Sequence, residues 1–473
     1  MLKDPKIFLE KCASIIGGGY VFSSPLDMEP FLVDWNKRFR GSALAVLRPA
    51  NTSEVSRLVS LCAEYQIPIV PQGGNTSFCG GGIPSQDVSS VVMSLNRMNQ
   101  IREIDSENNT ITVDAGAILK NVQLAAHARD RLFPLSLAAE GSCTIGGNLA
   151  TNAGGVHVLR YGNMRELTLG LEVVTPTGEV WNGLRGLRKD NTGYSLKDLY
   201  IGSEGTLGII TRATLKLFPL KSVQITSLIK VAHIEQVIQL FEIARAELDS
   251  SLTAFELICP KLIELAGIAN PKLSIPMRLD SDWFVLLEYS GSESWSRGQE
   301  LVETLIATCI ERGLVSDAVI AKSISQAKNL WEIRELVPEA QAELGPNIKH
   351  DISLPISELV SFIKIAETQL KSLWPDIEIL VFGHVGDGNL HYNIAASTRE
   401  LSSQHETRRT QVSEIVHDLV YLRNGSMSAE HGIGQAKLEE LPRRKSQVEM
   451  ALMKSIKLAL DPRNLMNPGK VLI

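Results

Sequence analysis

Residues 141–162 constrain this chain more than any other stretch. They hold six glycines, three Ser/Thr hydroxyls, two asparagines and no acidic residue. Such a run gives up side chains so that backbone N–H groups can crowd against something large and negatively charged. A surface loop is the plain alternative for a glycine-rich run. Ile145, Leu149, Ala150, Ala153 and Val156 argue against it, because a loop free in water needs no such apolar anchoring. The stretch reads as a buried loop wrapped along a dinucleotide cofactor.

The chain's 473 residues exceed one ordinary core. A prior of roughly 150 residues per domain suggests two or three units. A net charge of −6 and the lack of a long basic run give no reason to hold nucleic acid. No segment has the apolar length needed to cross a bilayer. The first residues lack the apolar core and cleavage site of a signal peptide. Cys12, Cys62, Cys79, Cys143, Cys259 and Cys309 stand singly. Without a Cys-x-x-Cys pair they indicate neither an iron–sulfur cluster nor a cysteine zinc site, and they read as reduced thiols in a cytoplasm-like compartment.

Residues 1–40 read as a helical lead-in with Ile7, Leu9, Ile15 and Ile16 as apolar positions. Residues 43–49 predict a short buried strand stopped by Pro49. Thr52 is the expected helix cap, with Val55, Leu58, Val59 and Cys62 following at helical spacing. Residues 67–71 predict a second strand, so the chain opens as an α/β unit. Directly after that strand come Gly73, Gly74, Asn75, Thr76 and Ser77, then three more glycines at 80–82. A tight glycine turn there aims consecutive N–H groups at one point, with three side-chain donors beside them, and suggests a pyrophosphate cradle. The spacing is not Gly-x-Gly-x-x-Gly and no helix clearly opens from it, so it is not a Rossmann fingerprint. Strands dominate residues 90–216, which makes the fold class α+β. Near residue 220 glycine becomes sparse, and amphipathic helices (233–248, 296–312) alternate with strands such as 283–288. A domain boundary is expected there. The tail carries a helix with Val448, Leu452, Ile456 and Leu460 at i, i+4 spacing.

The second half holds the most chemically loaded residues. Residues 379–382 predict a buried strand, 383–388 a turn, and 390–394 the returning strand. On that strand a period of two puts His391 and Asn393 on one face, and Leu390, Tyr392 and Ile394 on the other. His384, at the end of the paired strand, can converge with His391 across the hairpin. Glu430 and His431 bring a carboxylate and a third imidazole, followed by two nearby glycines. Two histidines and one carboxylate form a common ligand set for Zn²⁺ or another divalent ion; the candidates are His384, His391 and Glu430. The alternative is a group of structural histidines. His431 is the natural general base beside the metal. On the helical stretch 331–335, Arg334 could grip a carboxylate through a two-pronged pair, and Lys349 offers a second positive charge. Either could instead be a solvated surface charge.

These stretches resemble a known family. Pro71-Gln72-Gly73-Gly74-Asn75-Thr76, the 141–162 run, and Gly202-Ser203-Glu204-Gly205-Thr206-Leu207-Gly208 look like the FAD-binding domain of the vanillyl-alcohol oxidase/p-cresol methylhydroxylase flavoproteins. The motif from Gly383 to His391, the motif from Ser428 to Gly434, and the tail Asn467-Pro468-Gly469-Lys470-Val471 are similar to the FAD-linked D-2-hydroxyacid dehydrogenase branch. Residues 34–41 and 348–355 point toward its D-2-hydroxyglutarate group. The resemblance implies a p-cresol methylhydroxylase-type FAD-binding domain at 43–220, an α+β substrate-binding cap at 221–425 and a C-terminal helical segment at 426–473 that returns to the flavin, after the lead-in at 1–42. It implies FAD held by Pro71, Gly73, Gly74, Asn75, Thr76, Gly141, Ser142, Gly146, Gly147, Thr151, Asn152 and Gly154, with Ile209, Ile210 and Asn467 close by. It implies His384, His391 and Glu430 as ligands of a divalent metal, expected to be zinc, His431 as catalytic base, and Arg334, Lys349 and Asn393 as substrate contacts. Many members attach flavin through a histidine in the first glycine loop; residues 71–82 contain none, so non-covalent FAD is expected. The hydroxyglutarate group usually has Ser or Thr four residues after the arginine, whereas this chain has Pro338, where the helix is expected to kink or restart.

The expected activity is oxidation of a D-2-hydroxyacid, foremost D-2-hydroxyglutarate, to the 2-oxoacid, with an electron-transfer flavoprotein or quinone as acceptor. D-lactate dehydrogenase or a glycolate oxidase-type subunit is the nearest alternative. A metal hydrolase and a non-catalytic flavin redox sensor are the alternatives of other classes. A cytoplasmic protein is expected, with peripheral membrane association and a homodimer left open.

Overall fold

The computed structural model describes residues 5–280, 283–399 and 402–472. The chain divides into two compact units. One combines the residues up to Gly154 with Gly162–Leu220 and the segment from Glu430 onward; the other combines Gly155–Tyr161 with Lys221–Ala429.

The first unit contains two sheets. The smaller runs in the order Val21–Phe22, Ala45–Leu47, Val91–Ser94, Ile69–Gln72, and its last two pairings are parallel. Parallel strands need a crossover, supplied by the helix Thr52–Tyr65. Asn51, not Thr52, caps that helix: its side chain accepts from the Glu54 N–H at 3.0 Å. Thr52 is already helical, and its hydroxyl is taken by the buried Glu172 carboxylate at 2.6 Å. Val55, Leu58, Val59 and Cys62 bury the helix against Phe8, Cys12 and Ile16 of the lead-in helix Pro5–Ile16. The buried stripe of that lead-in is therefore the 8–12–16 row, and Ile7 points outward. The larger sheet is antiparallel, in the order Ile101–Asp105, Thr110–Asp114, Ile209–Lys216, Thr168–Val174, Val180–Gly183.

Residues 141–162 are not loop throughout. Thr144 caps a short helix, Ile145–Thr151, that buries Ile145 and Leu149 and ends on Asn152 in the left-handed region. One turn apart, those two apolar side chains anchor it despite its two glycines. In the tail, Ser446 and Glu449 form a capping box for the helix Gln447–Leu460. Its apolar stripe faces solvent, with Val448 69% and Leu452 60% exposed. The helix is held from another side by Lys457, whose Nζ donates to the carbonyls of Thr206 (2.8 Å) and Met466 (2.9 Å).

The second unit is built on a seven-stranded antiparallel sheet. Its order is Asp317–Ile320, Val223–Val231, Trp283–Gly291, Leu252–Ile258, Ile377–His384, Asn389–Ala396, Asp351–Ser353. Strand alternation gives it two unlike faces. Phe255, Leu257, Val381, Leu390, Tyr392 and Ile394 pack under the helices Ile234–Leu248, Trp295–Glu311 and Leu359–Leu373. Ile258, Phe284, Leu286, Leu380 and Phe382 pack under Pro260–Ala269 and Ile324–Ala340. Glu256, His384, His391 and Asn393 lie on this second face, at cross-strand positions facing one another: Glu256 opposite His384, Phe382 opposite His391, Leu380 opposite Asn393. The helix Ile324–Ala340 runs through Pro338 without restarting. Pro338 lies in its last turn, so the missing N–H removes only the bond to the Arg334 carbonyl.

Candidate active site

In the first unit, the strand Ile69–Gln72 delivers the chain into the first glycine turn. The backbone N–H groups of Gly73, Gly74, Asn75, Thr76 and Ser77 donate to no acceptor among the described residues. Five successive donors of this kind, with Asn75 at φ 53°, form a nest suited to an anion. The side chain of Asn75 does not add to them, because its amide donates to the carbonyls of Val33 (2.8 Å) and Pro30 (3.3 Å) and ties the turn to the end of the helix Pro25–Leu32. The two glycine stretches touch. A Cβ on Gly73 would stand 2.3 Å from Thr144 Oγ1, and one on Gly74 would stand 2.2 Å from the Ser142 carbonyl. Gly141 and Ser142 are exposed beside them. These residues fit a phosphate-bearing group that approaches bare backbone.

The C-terminal segment is pinned in this unit. Glu204 accepts from the N–H groups of Ile433 (2.7 Å) and Gly434 (2.9 Å). Gln435 donates to the carbonyls of Gly80 and Ile83, each at 2.9 Å. Asn467 donates to the carbonyls of Gly81 (2.9 Å) and Glu204 (2.7 Å), while its Oδ1 is buried with no donor among the described residues. These bonds set His431 beside Phe78 of the first glycine loop, ring centroids 4.7 Å apart. Burial raises the Glu204 carboxyl against the two N–H donors that lower it. Nearby Lys470 is 2% exposed, and burial lowers it from the ordinary 10.5 to about 8, against the pull of Glu204. A depressed lysine makes the unfolded state bind the extra proton, so stability should rise with pH between about 8 and 10.5. Lys470→Met should flatten that rise, read from urea midpoints of both proteins at pH 7.5, 9 and 10.

In the second unit, Glu256 is fully buried and joins two of the candidate residues. Its Oε1 lies 2.6 Å from His384 Nδ1 and its Oε2 accepts from Arg334 Nε at 2.9 Å. Burial alone would raise this carboxyl; His384 and Arg334 outweigh it and hold it at about 2. Arg334 is 7% exposed, lies over the Phe382 ring at 4.9 Å, and keeps its two terminal nitrogens without a protein partner among the described residues. His384 and His391 meet across the hairpin with ring centroids 5.8 Å apart. Asp351 Oδ1 stands 3.9 Å from His391 Nδ1. A carboxylate hydrogen-bonded at Nδ1, as Glu256 is to His384, is the usual support of a metal-ligating histidine, so His384 fits a metal ion, with His391 beside it. Lys349 keeps solvent contact, yet the protein packed round it lowers its ammonium. Asn393 is buried and largely committed: its amide donates to Gln341 Oε1 at 2.8 Å and its oxygen accepts from the His350 N–H at 3.1 Å. Two successive turns of the helix Ile324–Ala340 face the same side. Trp331, one turn before Arg334, donates its Nε1–H to the buried Glu288 at 2.9 Å, and His157 meets that carboxylate at 3.3 Å.

Two family models match the chain: an FAD binding domain over residues 43–183 and the C-terminal domain of FAD linked oxidases over residues 220–471. The chain belongs to the FAD-linked oxidases. Relatives of this FAD-linked oxidase include the D-2-hydroxyglutarate dehydrogenase, mitochondrial, of Arabidopsis thaliana, 37% identical over 99% of this chain and 81% of the relative. The D-2-hydroxyglutarate dehydrogenase of Xanthomonas citri pv. viticola is 36% identical over 95% of this chain and 93% of the relative. Among solved structures, p-cresol methylhydroxylase with substrate bound superposes with a TM-score of 0.78 at 16% identity, covering 98% of this chain and 96% of that one. That likeness establishes the p-cresol methylhydroxylase-type α+β fold. The FAD-linked oxidase is thus an FAD-binding oxidoreductase. No helix among its described residues is long and apolar enough to cross a membrane.

Glu204, Glu256 and Glu288 had no assigned role in the sequence. The signal for the last two was present: each is a lone acidic residue inside a strand that is otherwise mostly apolar, 252–258 and 283–291. A charge there must be paired, because an unpaired one is too costly to bury.

Proposed function

We propose that this FAD-linked oxidase is a D-2-hydroxyglutarate dehydrogenase that oxidises the D-2-hydroxyacid to its 2-oxoacid. The observation that carries the reading is Arg334, buried, held by its Nε alone, with two terminal nitrogens uncommitted on the sheet face that bears the His384–His391 pair. Relatives named for this activity, 36–37% identical along nearly the whole chain, support it. Arg334 and Lys349 hold the two carboxylates of the substrate, and Asn393 contributes its remaining amide hydrogen. Bound FAD, cradled non-covalently by residues 71–82 and 141–155, supplies the hydride acceptor, and a divalent ion, expected to be zinc, held by His384, His391 and Glu430 supplies Lewis acidity at the C2 hydroxyl. His431 takes the hydroxyl proton. Turnover requires an acceptor, an electron-transfer flavoprotein or a quinone. Location in the cytoplasm, with the mitochondrial naming of the Arabidopsis relative as the competing placement, belongs to the same proposal.

The test is an anaerobic panel of D-2-hydroxyglutarate, D-malate and D-lactate, each followed by flavin absorbance. D-2-hydroxyglutarate should bleach the flavin fastest; bleaching by D-lactate alone would move the chain to a different substrate. Arg334→Lys gives a sharper check. A lysine offers one point charge and cannot both pair with Glu256 and present two nitrogens. The KM for D-2-hydroxyglutarate should rise by on the order of 10–100-fold. An unchanged KM would remove Arg334 from the substrate site.

A further inference from the structure

We infer that Glu256 is a positioning residue: one buried carboxylate fixes both the ring nitrogen that His384 presents and the direction in which Arg334 presents its terminal nitrogens. The inference deepens the proposed function and rests on it for the metal and the substrate.

Glu256 sits at the centre of the sheet, on Leu252–Ile258, directly opposite His384 in the cross-strand register. An ionised carboxylate only accepts hydrogen bonds. His384 Nδ1, 2.6 Å from Oε1, must therefore carry a proton. A neutral imidazole protonated at Nδ1 has its lone pair on Nε2, the atom able to hold a metal ion. The other oxygen takes the Nε–H of Arg334 at 2.9 Å, which aims the far edge of the guanidinium away from the strand. The Phe382 ring packs against that group at 4.9 Å and lies 4.6 Å from the His391 ring on the same face. The roll of the arginine's helix is fixed one turn earlier by Trp331 on Glu288. The two candidate functions of this face, gripping carboxylate and ligating metal, thus share one anchor. A merely structural ion pair would need only its charge; the shared anchor needs two acceptor oxygens.

That difference makes the test. Glu256→Gln preserves shape but has one acceptor oxygen and one amide donor. Turned toward His384, the amide donor forces the proton to Nε2 and removes the metal ligand. Turned toward Arg334, it displaces the guanidinium. The variant should keep its FAD, lose metal affinity by on the order of 10–100-fold in competition with a chromophoric chelator, or raise the KM for D-2-hydroxyglutarate by a similar factor, with Glu256→Asp recovering part of the loss. A folded, FAD-loaded Glu256→Gln with wild-type metal affinity and KM overturns the inference. A third measurement needs no variant at position 256. Nitrogen NMR of histidine-labelled, metal-stripped wild-type protein, with His384 assigned from a His384→Gln spectrum, should show His384 protonated at Nδ1; protonation at Nε2 overturns the inference. A wild-type protein that holds no divalent ion and is reduced by no D-2-hydroxyacid overturns the proposed function instead, and the tautomer still reports on Glu256 by itself.

Discussion

Replacing His431 with asparagine should leave a yellow protein, with full FAD content, whose flavin D-2-hydroxyglutarate bleaches on the order of 10²–10⁴-fold more slowly. Asparagine is close in size and keeps hydrogen-bonding atoms, but it cannot take a proton at neutral pH. The backbone that follows the position is held by other groups. Glu204 holds the N–H groups of Ile433 and Gly434, and Gln435 is fixed to the carbonyls of Gly80 and Ile83. The imidazole packs beside Phe78, ring centroids 4.7 Å apart. Loss of packing against one ring costs far less than the proton transfer. Stopped-flow mixing under anaerobic conditions separates the two: wild-type bleaching in the variant would strip His431 of its role as base.

Gly74→Val should produce a colourless protein. A Cβ at position 74 would stand 2.2 Å from the Ser142 carbonyl oxygen and 3.0 Å from the Cys143 Cα. Both are backbone atoms of a turn closed by the Ser142 and Cys143 N–H groups on the Ala139 carbonyl, so neither can step aside as a side-chain tip would. The two glycine stretches must separate. Overpacking of this kind costs about 1–3 kcal/mol. The larger loss is the cofactor: a ligand present at a hundred times its Kd stabilises the fold by about 2.7 kcal/mol, and that contribution vanishes with binding. The ratio of flavin to protein absorbance and the melting temperature with and without added FAD give the result. A variant that keeps stoichiometric FAD would show that the stretches at 71–82 and 141–155 do not jointly hold it.

The sequence was most informative where spacing is local. A period of two on the strand Asn389–Ala396 is enough to separate His391 and Asn393 from Leu390, Tyr392 and Ile394, and the structure places them on opposite faces of the sheet. Glycines next to the strand Ile69–Gln72 were readable for the same reason. What was not readable depends on pairing across the chain. Glu256 meets His384 128 positions away, and Glu204 meets Ile433 229 positions away; no local pattern reports such partners. Asn75 shows the converse limit. Its residue type suggested a donor for the cofactor, yet the carbonyls of Pro30 and Val33, brought close by the fold, take its amide. The helix Gln447–Leu460 shows that an apolar stripe at helical spacing gives a face without saying what covers it. Pro338 shows that position within an element matters as much as residue type, since in a last turn it costs one hydrogen bond and leaves the helix intact.

Whether flavin and metal act together on D-2-hydroxyglutarate is decided by anaerobic reduction of the purified protein by this substrate, repeated after a chelator and again after Zn²⁺ is restored. The flavin should bleach, stop bleaching on chelation with FAD still bound, and bleach again once zinc returns. Bleaching that survives removal of all divalent metal would take the metal out of the chemistry, and a metal-loaded, FAD-loaded protein that D-2-hydroxyglutarate leaves yellow would not be a D-2-hydroxyglutarate dehydrogenase.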